Sequence, residues 1–173
     1  RTRRSMAILP IITAPSARLK VKSEVIESVD DTVRRLIDDM LETMDYESGV
    51  GLAANQVGVL HRVAVLHLPE AEEPIILINP EVLRREGQRE VEEGCLSVPG
   101  YRGTLFRSVT VRVKAQDRNG KPIRIKGKEL LAQALEHEID HLNGILYLDH
   151  LESHEKLYKI TEEADEPAEA NVG

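Results

Sequence analysis

The chain has 173 residues, 41% hydrophobic and 31% charged, with a single cysteine. That length suits one domain whose core is large enough to stand without disulfides, and one cysteine cannot close an internal disulfide in any case. The net charge of −7 is uneven: residues 161–173 hold five acids (Glu162, Glu163, Asp165, Glu166, Glu169) and no base, leaving 25 acids against 23 bases elsewhere, a balance that argues against broad electrostatic binding to nucleic acid or anionic membrane.

Aromatic residues are only 3%, with no Trp and one Phe, so the core must be built from Leu, Ile and Val. No apolar run approaches the ~20 residues of a membrane span. The opening Arg1-Thr2-Arg3-Arg4-Ser5 is basic, but Met6-Ala7-Ile8-Leu9 is too short for a signal core and is broken by Pro10. Met6 is a candidate natural start. The domain is expected to run over 1–173, with 1–7 an N-terminal arm and 161–173 a flexible acidic tail. The lone cysteine fits a reducing cytosol.

After an irregular arm punctuated by Pro10 and Pro15, a helix is predicted over 28–46. Val29, Val33, Leu36, Ile37, Met40, Leu41 and Met44 recur at steps of three and four, Ser28 with Asp31 reads as a cap, and Gly49 lies just past the end. Apolar runs at 62–68 and 74–79 predict strands. Residues 107–116 alternate Val109, Val111 and Val113 with polar positions, as a half-buried strand does. Asp117-Arg118-Asn119-Gly120 is a hairpin turn leading to a return strand at 121–126. A second helix is predicted over 128–142, stopped by Asn143-Gly144. The order contains no βαβ alternation, so the expected class is α+β with mostly antiparallel sheets.

The second helix carries the chemistry. Glu129, Gln133, Glu136, Asp140 and Asn143 form one polar stripe, and Leu131, Leu135 and Leu142 form an apolar one; His137, Glu138 and His141 lie between them beside Ala134. So narrow a polar face predicts a mostly buried helix. His137-Glu138-Ile139-Asp140-His141 is an H-E-x-x-H motif. Its histidines, at i and i+4, share a face and can reach one metal ion, while Glu138, about 100° round the helix, can reach water at that ion. The bland reading, two histidines and a glutamate on a solvated face, conflicts with the predicted burial, because an unligated cluster there would be costly.

A hydrolytic site needs a third protein ligand and an open position. Gly144 matches a metzincin continuation, but Tyr147 stands where its histidine belongs. Glu162 or Glu163 has the spacing of a downstream acidic ligand, yet both sit among solvated charges. The third candidate is Cys95 in Glu93-Gly94-Cys95-Leu96-Ser97. A lone cysteine is most often an inert core thiol, but the preceding glycine and the following Val98-Pro99-Gly100 suggest an exposed turn. Gly49-Val50-Gly51-Leu52-Ala53-Ala54-Asn55-Gln56 forms a third segment, whose small residues let main chain approach a ligand and whose Gln56 offers an amide donor. Taken alone it is also an ordinary tight loop. It is a poor phosphate loop, lacking the lysine and the glycine spacing.

These three segments, GVGLAANQ, EGCLS and HEIDH, resemble in order and spacing the signature motifs of the peptide deformylases, and the likeness extends from about Ile8 to Leu151 through INPE and the DRNGKP hairpin. The short gap between the first two resembles the compact bacterial and organellar type. The resemblance implies a fold of antiparallel sheets around a central buried helix bearing HExxH. It further implies a metal held by Cys95 as thiolate with His137 and His141, Fe²⁺ natively and Zn²⁺, Ni²⁺ or Co²⁺ as substitutes. The activity implied is removal of the formyl group from the N-terminal formyl-methionine of newly made polypeptides, releasing formate. Glu138 would carry the proton, and Gln56 with the Leu96 N–H would meet the oxyanion. Val50, Leu130, Ala134 and His137 would line the methionine pocket, with Gln133 near its end. Peptide main chain would pair with Val50 and Gly94, with Gly51 allowing close approach.

The expected partners are formyl-methionyl nascent peptides, with transient ribosome contact and no direct nucleic-acid or membrane binding. A cytoplasmic setting is the leading expectation and an organellar one the lesser. Two features depart from the family pattern. Glu136 replaces a common glutamine and would bear on the surroundings of His137, and the tail is acidic where some members carry a basic, ribosome-docking helix. The competing readings are a metalloprotease with Glu162 as third ligand and a structural metal module without catalysis, for which no fourth protein ligand is evident.

Overall fold

A computed structural model describes residues 7–160; the expectations for residues 1–5 and for the acidic tail lie outside them. Two helices, α1 (Asp31–Tyr46) and α2 (Leu130–Leu142), pack with eight strands: β1 (Gly51–Ala53), β2 (Val63–Leu66), β3 (Ile75–Glu86), β4 (Arg89–Cys95), β5 (Val98–Arg107), β6 (Thr110–Gln116), β7 (Pro122–Lys128) and β8 (Leu157–Lys159). They form an antiparallel five-stranded sheet in the order β1-β2-β3-β6-β7 and a three-stranded sheet in the order β4-β5-β8. The expected α+β class and antiparallel character hold.

The two helices lie on opposite faces of the larger sheet. β2 is buried on both sides because its side chains alternate between them: Val63 and Val65 join Ile78 against Ile37, Met40 and Met44 of α1, whereas Ala64 and Leu66 join Leu77 and Val111 against Ala134, Leu135 and Leu142 of α2. Each such large apolar side chain, fully buried, contributes roughly 1.5–3 kcal/mol. Truncating Met40, fully buried between α1 and β2, would open a cavity costing about 2–5 kcal/mol. α1 starts later than predicted. Asp30, not Ser28, is the cap, its carboxylate accepting from the Val33 N–H at 3.0 Å. An ionised carboxylate caps better than a hydroxyl because it also meets the helix dipole.

The hairpin at residues 117–120 forms as expected, with Gly120 at φ 82° and the Asp117 carboxylate accepting from the main chain of Asn119 and Lys121. β3 extends well past the predicted 74–79, and β4 and β5 have no counterpart in the predicted elements. Charged residues in β4 (Arg89, Glu90, Glu92, Glu93) and Pro99, Gly100 and Gly103 in β5 hide the strand pattern. α2 begins at Leu130 and is buried from Ala132 to Leu142. Its polar stripe does not face solvent: Gln133, Glu136 and Asp140 are buried along with its apolar side. The smaller sheet closes over Gln133 and Asp140 and satisfies them, while Ser108 and, from β3, Arg85 satisfy Glu136.

Candidate metal centre and active site

α2 presents His137 and His141 one turn apart, and the β4–β5 turn brings Cys95 to them from the smaller sheet. Their ligating atoms all lie within 4.8 Å of one another. His137 Nε2 and His141 Nε2 are 3.2 Å apart, and Cys95 Sγ is 3.3 Å from His141 Nε2. Tetrahedral coordination with metal–nitrogen distances near 2.0–2.1 Å and metal–sulfur near 2.3 Å places such donor pairs roughly 3.3–3.6 Å apart. The trio therefore fits a single ion, with soft sulfur and borderline nitrogen donors suited to a first-row divalent metal. Cys95 does lie in a tight turn, with Cys95 paired to Val98, but the expected exposure is wrong: its residue exposure is 5%. Tyr147 and Leu105 pack over it as part of the small-sheet core.

A second layer of side chains orients the histidines. His137 Nδ1 meets Glu93 Oε1 at 2.5 Å. Arg107 grips both oxygens of Glu93 and reaches on to Asp140, which also binds His150. Burial opposes ionisation of Glu93, but the charges of His137 and Arg107 outweigh it and hold the carboxyl well below its usual range. Burial likewise disfavours charge on His137, and the carboxylates of Glu93 and Glu138 overcome it, raising its basicity. A metal at Nε2 competes for that proton and gains from the same negative charge. His141 is positioned through its main chain, whose carbonyl accepts from Asn55 Nδ2 at 2.6 Å. The sequence alone singled out none of Glu93, Arg107, Asp140 or Asn55. Glu93, Asn55 and Asp140 lie inside the EGCLS, GVGLAANQ and HEIDH segments, the one signal that could have pointed to them, whereas Arg107 carried none.

Glu138 is fully buried, and neither carboxylate oxygen has a hydrogen-bond partner. Burial, together with nearby Glu93, pushes its pKa up to about 7 against the pull of His137. Gly51 makes room for it: a Cβ there would collide with Glu138 Oε2 and stand 2.8 Å from Leu66 Cδ2. Gln56 is buried with its Oε1 accepting from the Ala53 N–H (2.9 Å) and its Nε2 donating to Ser97 Oγ (3.1 Å), 3.7 Å from Cys95 Sγ. Its amide is thus held in one orientation with the N–H side toward the metal ligands. Leu96 follows Cys95 in the same turn.

The remaining predicted residues sit as follows. Val50, Ala134 and His137 are buried around the cluster, and Leu130 is half-buried at the start of α2. Gln133 does not offer a free amide, since its Nε2 donates to the Glu92 carbonyl and to Glu93 Oε2. Gly94 lies in β4 and Val50 just before β1; both strands are sheet edges. Glu136 does not face His137. Its carboxylate accepts from the Ser108 N–H and hydroxyl and from Arg85, tying α2 to the sheets on the far side. The expected influence on His137 therefore has no direct contact behind it.

Antiparallel sheets clasping a buried HExxH helix, with a Cys-His-His cluster and a partnerless buried glutamate, define a metal-dependent hydrolase. A sequence model of the family described as Polypeptide deformylase matches residues 8–157. The chain is 51% identical over 164 residues to a peptide deformylase of Dehalococcoides mccartyi, covering 95% of this chain and 98% of that one, and 45% identical over 175 residues to that of Thermomicrobium roseum, covering 97% and 99%. Among solved structures, the Legionella pneumophila peptide deformylase superposes with a TM-score of 0.83 at 46% identity, covering 87% of this chain and 89% of that one. The Ehrlichia chaffeensis enzyme in complex with actinonin does so with 0.83 at 42%, covering 87% and 92%. The chain belongs to the peptide deformylase family, bacterial in type, metal-dependent hydrolases that remove the formyl group from the N-terminal methionine of new polypeptides. The protease and non-catalytic readings fall with that result. Among the described residues no helix is long and apolar enough to cross a membrane.

Proposed function

We propose that Cys95, His137 and His141 hold the metal, Fe²⁺ natively with Zn²⁺, Ni²⁺ or Co²⁺ as substitutes, and that Glu138, Gln56 and the Leu96 N–H perform the deformylation. The observation that carries this is the buried, partnerless Glu138 carboxylate beside three converging ligand atoms. A divalent ion supplies Lewis acidity to the formyl carbonyl and lowers the pKa of attacking water. Glu138, with its affinity for protons raised toward neutrality, takes a proton as the water oxygen bonds to the formyl carbon. It then delivers that proton to the amide nitrogen as the C–N bond breaks, leaving formate and a free amine. The Gln56 Nε2 and Leu96 N–H donors serve the formyl oxygen as it becomes negative. The Gln56 donor needs no reorganisation, because Ala53 and Ser97 already hold its amide.

The substrate enters as an extended chain between two sheet edges, β1 with Val50 and Gly51 on one side and β4 with Gly94 on the other. Exposed strand edges accept a peptide through main-chain pairing. Val50, Leu130, Ala134 and the His137 ring take the methionine side chain. Gln133 supports that pocket through β4 and does not contact the sulfur, because its amide is already committed. We place the enzyme in the cytoplasm, as one domain over 1–173, acting on formyl-methionyl nascent chains during transient contact with the ribosome.

Metal content per chain, measured by elemental analysis on Cys95→Ala beside the parent, together with formate release from a formyl-Met peptide, tests the assignment. Metal and activity should be lost together. Full occupancy in Cys95→Ala would overturn the ligand set. Iron in protein purified without oxygen identifies the native ion, and zinc alone would overturn that choice.

A further inference from the structure

The larger sheet is covered unevenly. α1 packs behind β1, β2 and the start of β3, but no described element covers the back of β6, β7 and the second half of β3. The side chains facing outward there follow from the strand register. Arg84 pairs with Arg112, and Arg112 with Lys126, so three cations stand side by side across three strands. Glu81 pairs with Lys114, and Lys114 with Arg124. Glu86 pairs with Thr110, and Thr110 with Lys128. This face therefore carries six cations and two acids, in a chain whose net charge is −7. Among the described residues the only ion pairs on it are Arg84 with Glu86 and Lys114 with Glu81. Arg112, Arg124, Lys126 and Lys128 are exposed and make none.

Like charges directly opposite one another on a sheet are destabilising. The Arg84–Arg112–Lys126 row and the Lys114–Arg124 pair thus oppose folding in the free protein and call for a partner that supplies negative charge. Along β7, Arg124, Lys126 and Lys128 recur every second residue, about 6.8 Å apart, close to the interval between successive phosphates of a nucleic-acid strand. The face holds no aromatic side chain on which bases could stack, which disfavours a single-strand reader. Of the exposed large apolar side chains only Leu83 lies on these three strands, and a single leucine is a weak anchor in a bilayer. We infer that the outer face of β3, β6 and β7 binds the phosphate backbone of double-stranded RNA, the choice of RNA over DNA resting on the ribosome contact proposed above. The near-neutral balance of the chain before its acidic tail does not oppose this, because the fold sorts the charges: this face gathers six cations against two acids, Glu81 and Glu86. The face points away from α2, so an RNA-bound enzyme keeps its active site open to peptide.

Fluorescence anisotropy of a labelled RNA hairpin, titrated with the full metal-bound chain from about 50 to 200 mM salt, tests the proposal. We expect saturable binding that weakens with salt. Arg124→Glu combined with Lys126→Glu should reduce affinity at low salt by about ten-fold or more and lower the log Kd–log salt slope by roughly 1.4–1.8, the value of two phosphate contacts. That variant should melt no lower than the parent, since its new acids face Lys114 and Arg112, and it should release formate from a formyl-Met peptide at the parent rate. Arg35→Glu combined with Lys159→Glu, an equal charge change at exposed positions off this face, should keep the binding. An equal loss in both double variants would reduce the effect to net charge and overturn the proposal. A lowered melting temperature in the first variant would make the rows structural and also overturn it. Tighter binding to anionic phospholipid vesicles than to RNA would reassign the face to a membrane.

Discussion

His137 Nδ1 and Glu93 Oε1 stand 2.5 Å apart with both residues essentially inaccessible to solvent. The contact joins α2 to a strand of the smaller sheet and turns His137 Nε2 toward His141, 3.2 Å away, on the side of Cys95. Arg107 keeps Glu93 ionised, so the metal ligand rests on a buried chain of charge that runs through Asp140 to His150 near the surface.

Glu93→Gln should therefore weaken metal binding on the order of 10–100-fold, because the neutral amide orients the ring without its charge. Competition against a chelator measures this, and an unchanged affinity would remove Glu93 from the metal's support. The same residue has a pH signature. Its folded pKa is depressed, so the stability it lends is fully present above the unfolded value of about 4.3 and is lost as pH falls below that.

Glu138 behaves in the opposite sense. Its folded pKa is raised to about 7, so in metal-free protein its ionisation costs stability as pH rises from its unfolded value through 7. Metal-free Glu138→Gln should be more stable than the parent at pH 8, by on the order of 3–4 kcal/mol, and the gap should close near pH 4. In the metal-bound enzyme, kcat/KM should rise with pH as Glu138 ionises, with its acid limb moved below 7 by the cation's charge. Glu138→Ala should retain metal and lose about 10²–10⁴-fold in rate. Near-parental turnover in a metal-replete variant would remove Glu138 from the chemistry.

Gly51→Ala tests the space around that carboxylate. The added methyl meets Glu138 Oε2 and Leu66 Cδ2. Since Leu66 is fully buried against α2, Glu138 must give way. A displacement near 1 Å costs on the order of 10²-fold, and we expect it in kcat, with metal content unchanged. A variant altered only in KM would assign Gly51 to substrate approach alone.

Gln56→Leu should lower kcat by roughly 10²–10³-fold through loss of the oxyanion donor. Gln56 also bridges Ala53 and Ser97, so the melting temperature should fall as well. Gln56→Glu, which keeps the acceptor for Ala53, separates the two effects: it should recover stability more than rate. Parental kcat in either variant would exclude Gln56 from oxyanion binding.

Features carried by short-range physics could be read from the chain. The three-and-four spacing of Ile37, Met40 and Met44 specifies α1's buried face whatever it packs against, and Asp117-Arg118-Asn119-Gly120 forms its turn within itself. The i, i+4 geometry of His137 and His141 is a property of any helix, so their convergence needed no fold. The rest depended on residues far apart in sequence. Cys95 lies 42 positions before His137, and only the closing of the small sheet over α2 buries it among the ligands, where local composition suggested an exposed turn. Glu93 and Arg107 look like solvated charges until the β4–β5 pairing sets them against α2 and each compensates the other's desolvation. Glu136 turned to Ser108 and Arg85, a direction fixed by which sheet lies over that side of the helix. The row of Arg84, Arg112 and Lys126 exists only because cross-strand register, with its irregularities in β3, aligns three residues from three strands on one face. Charges scattered along a chain acquire a direction only when tertiary pairing places them side by side.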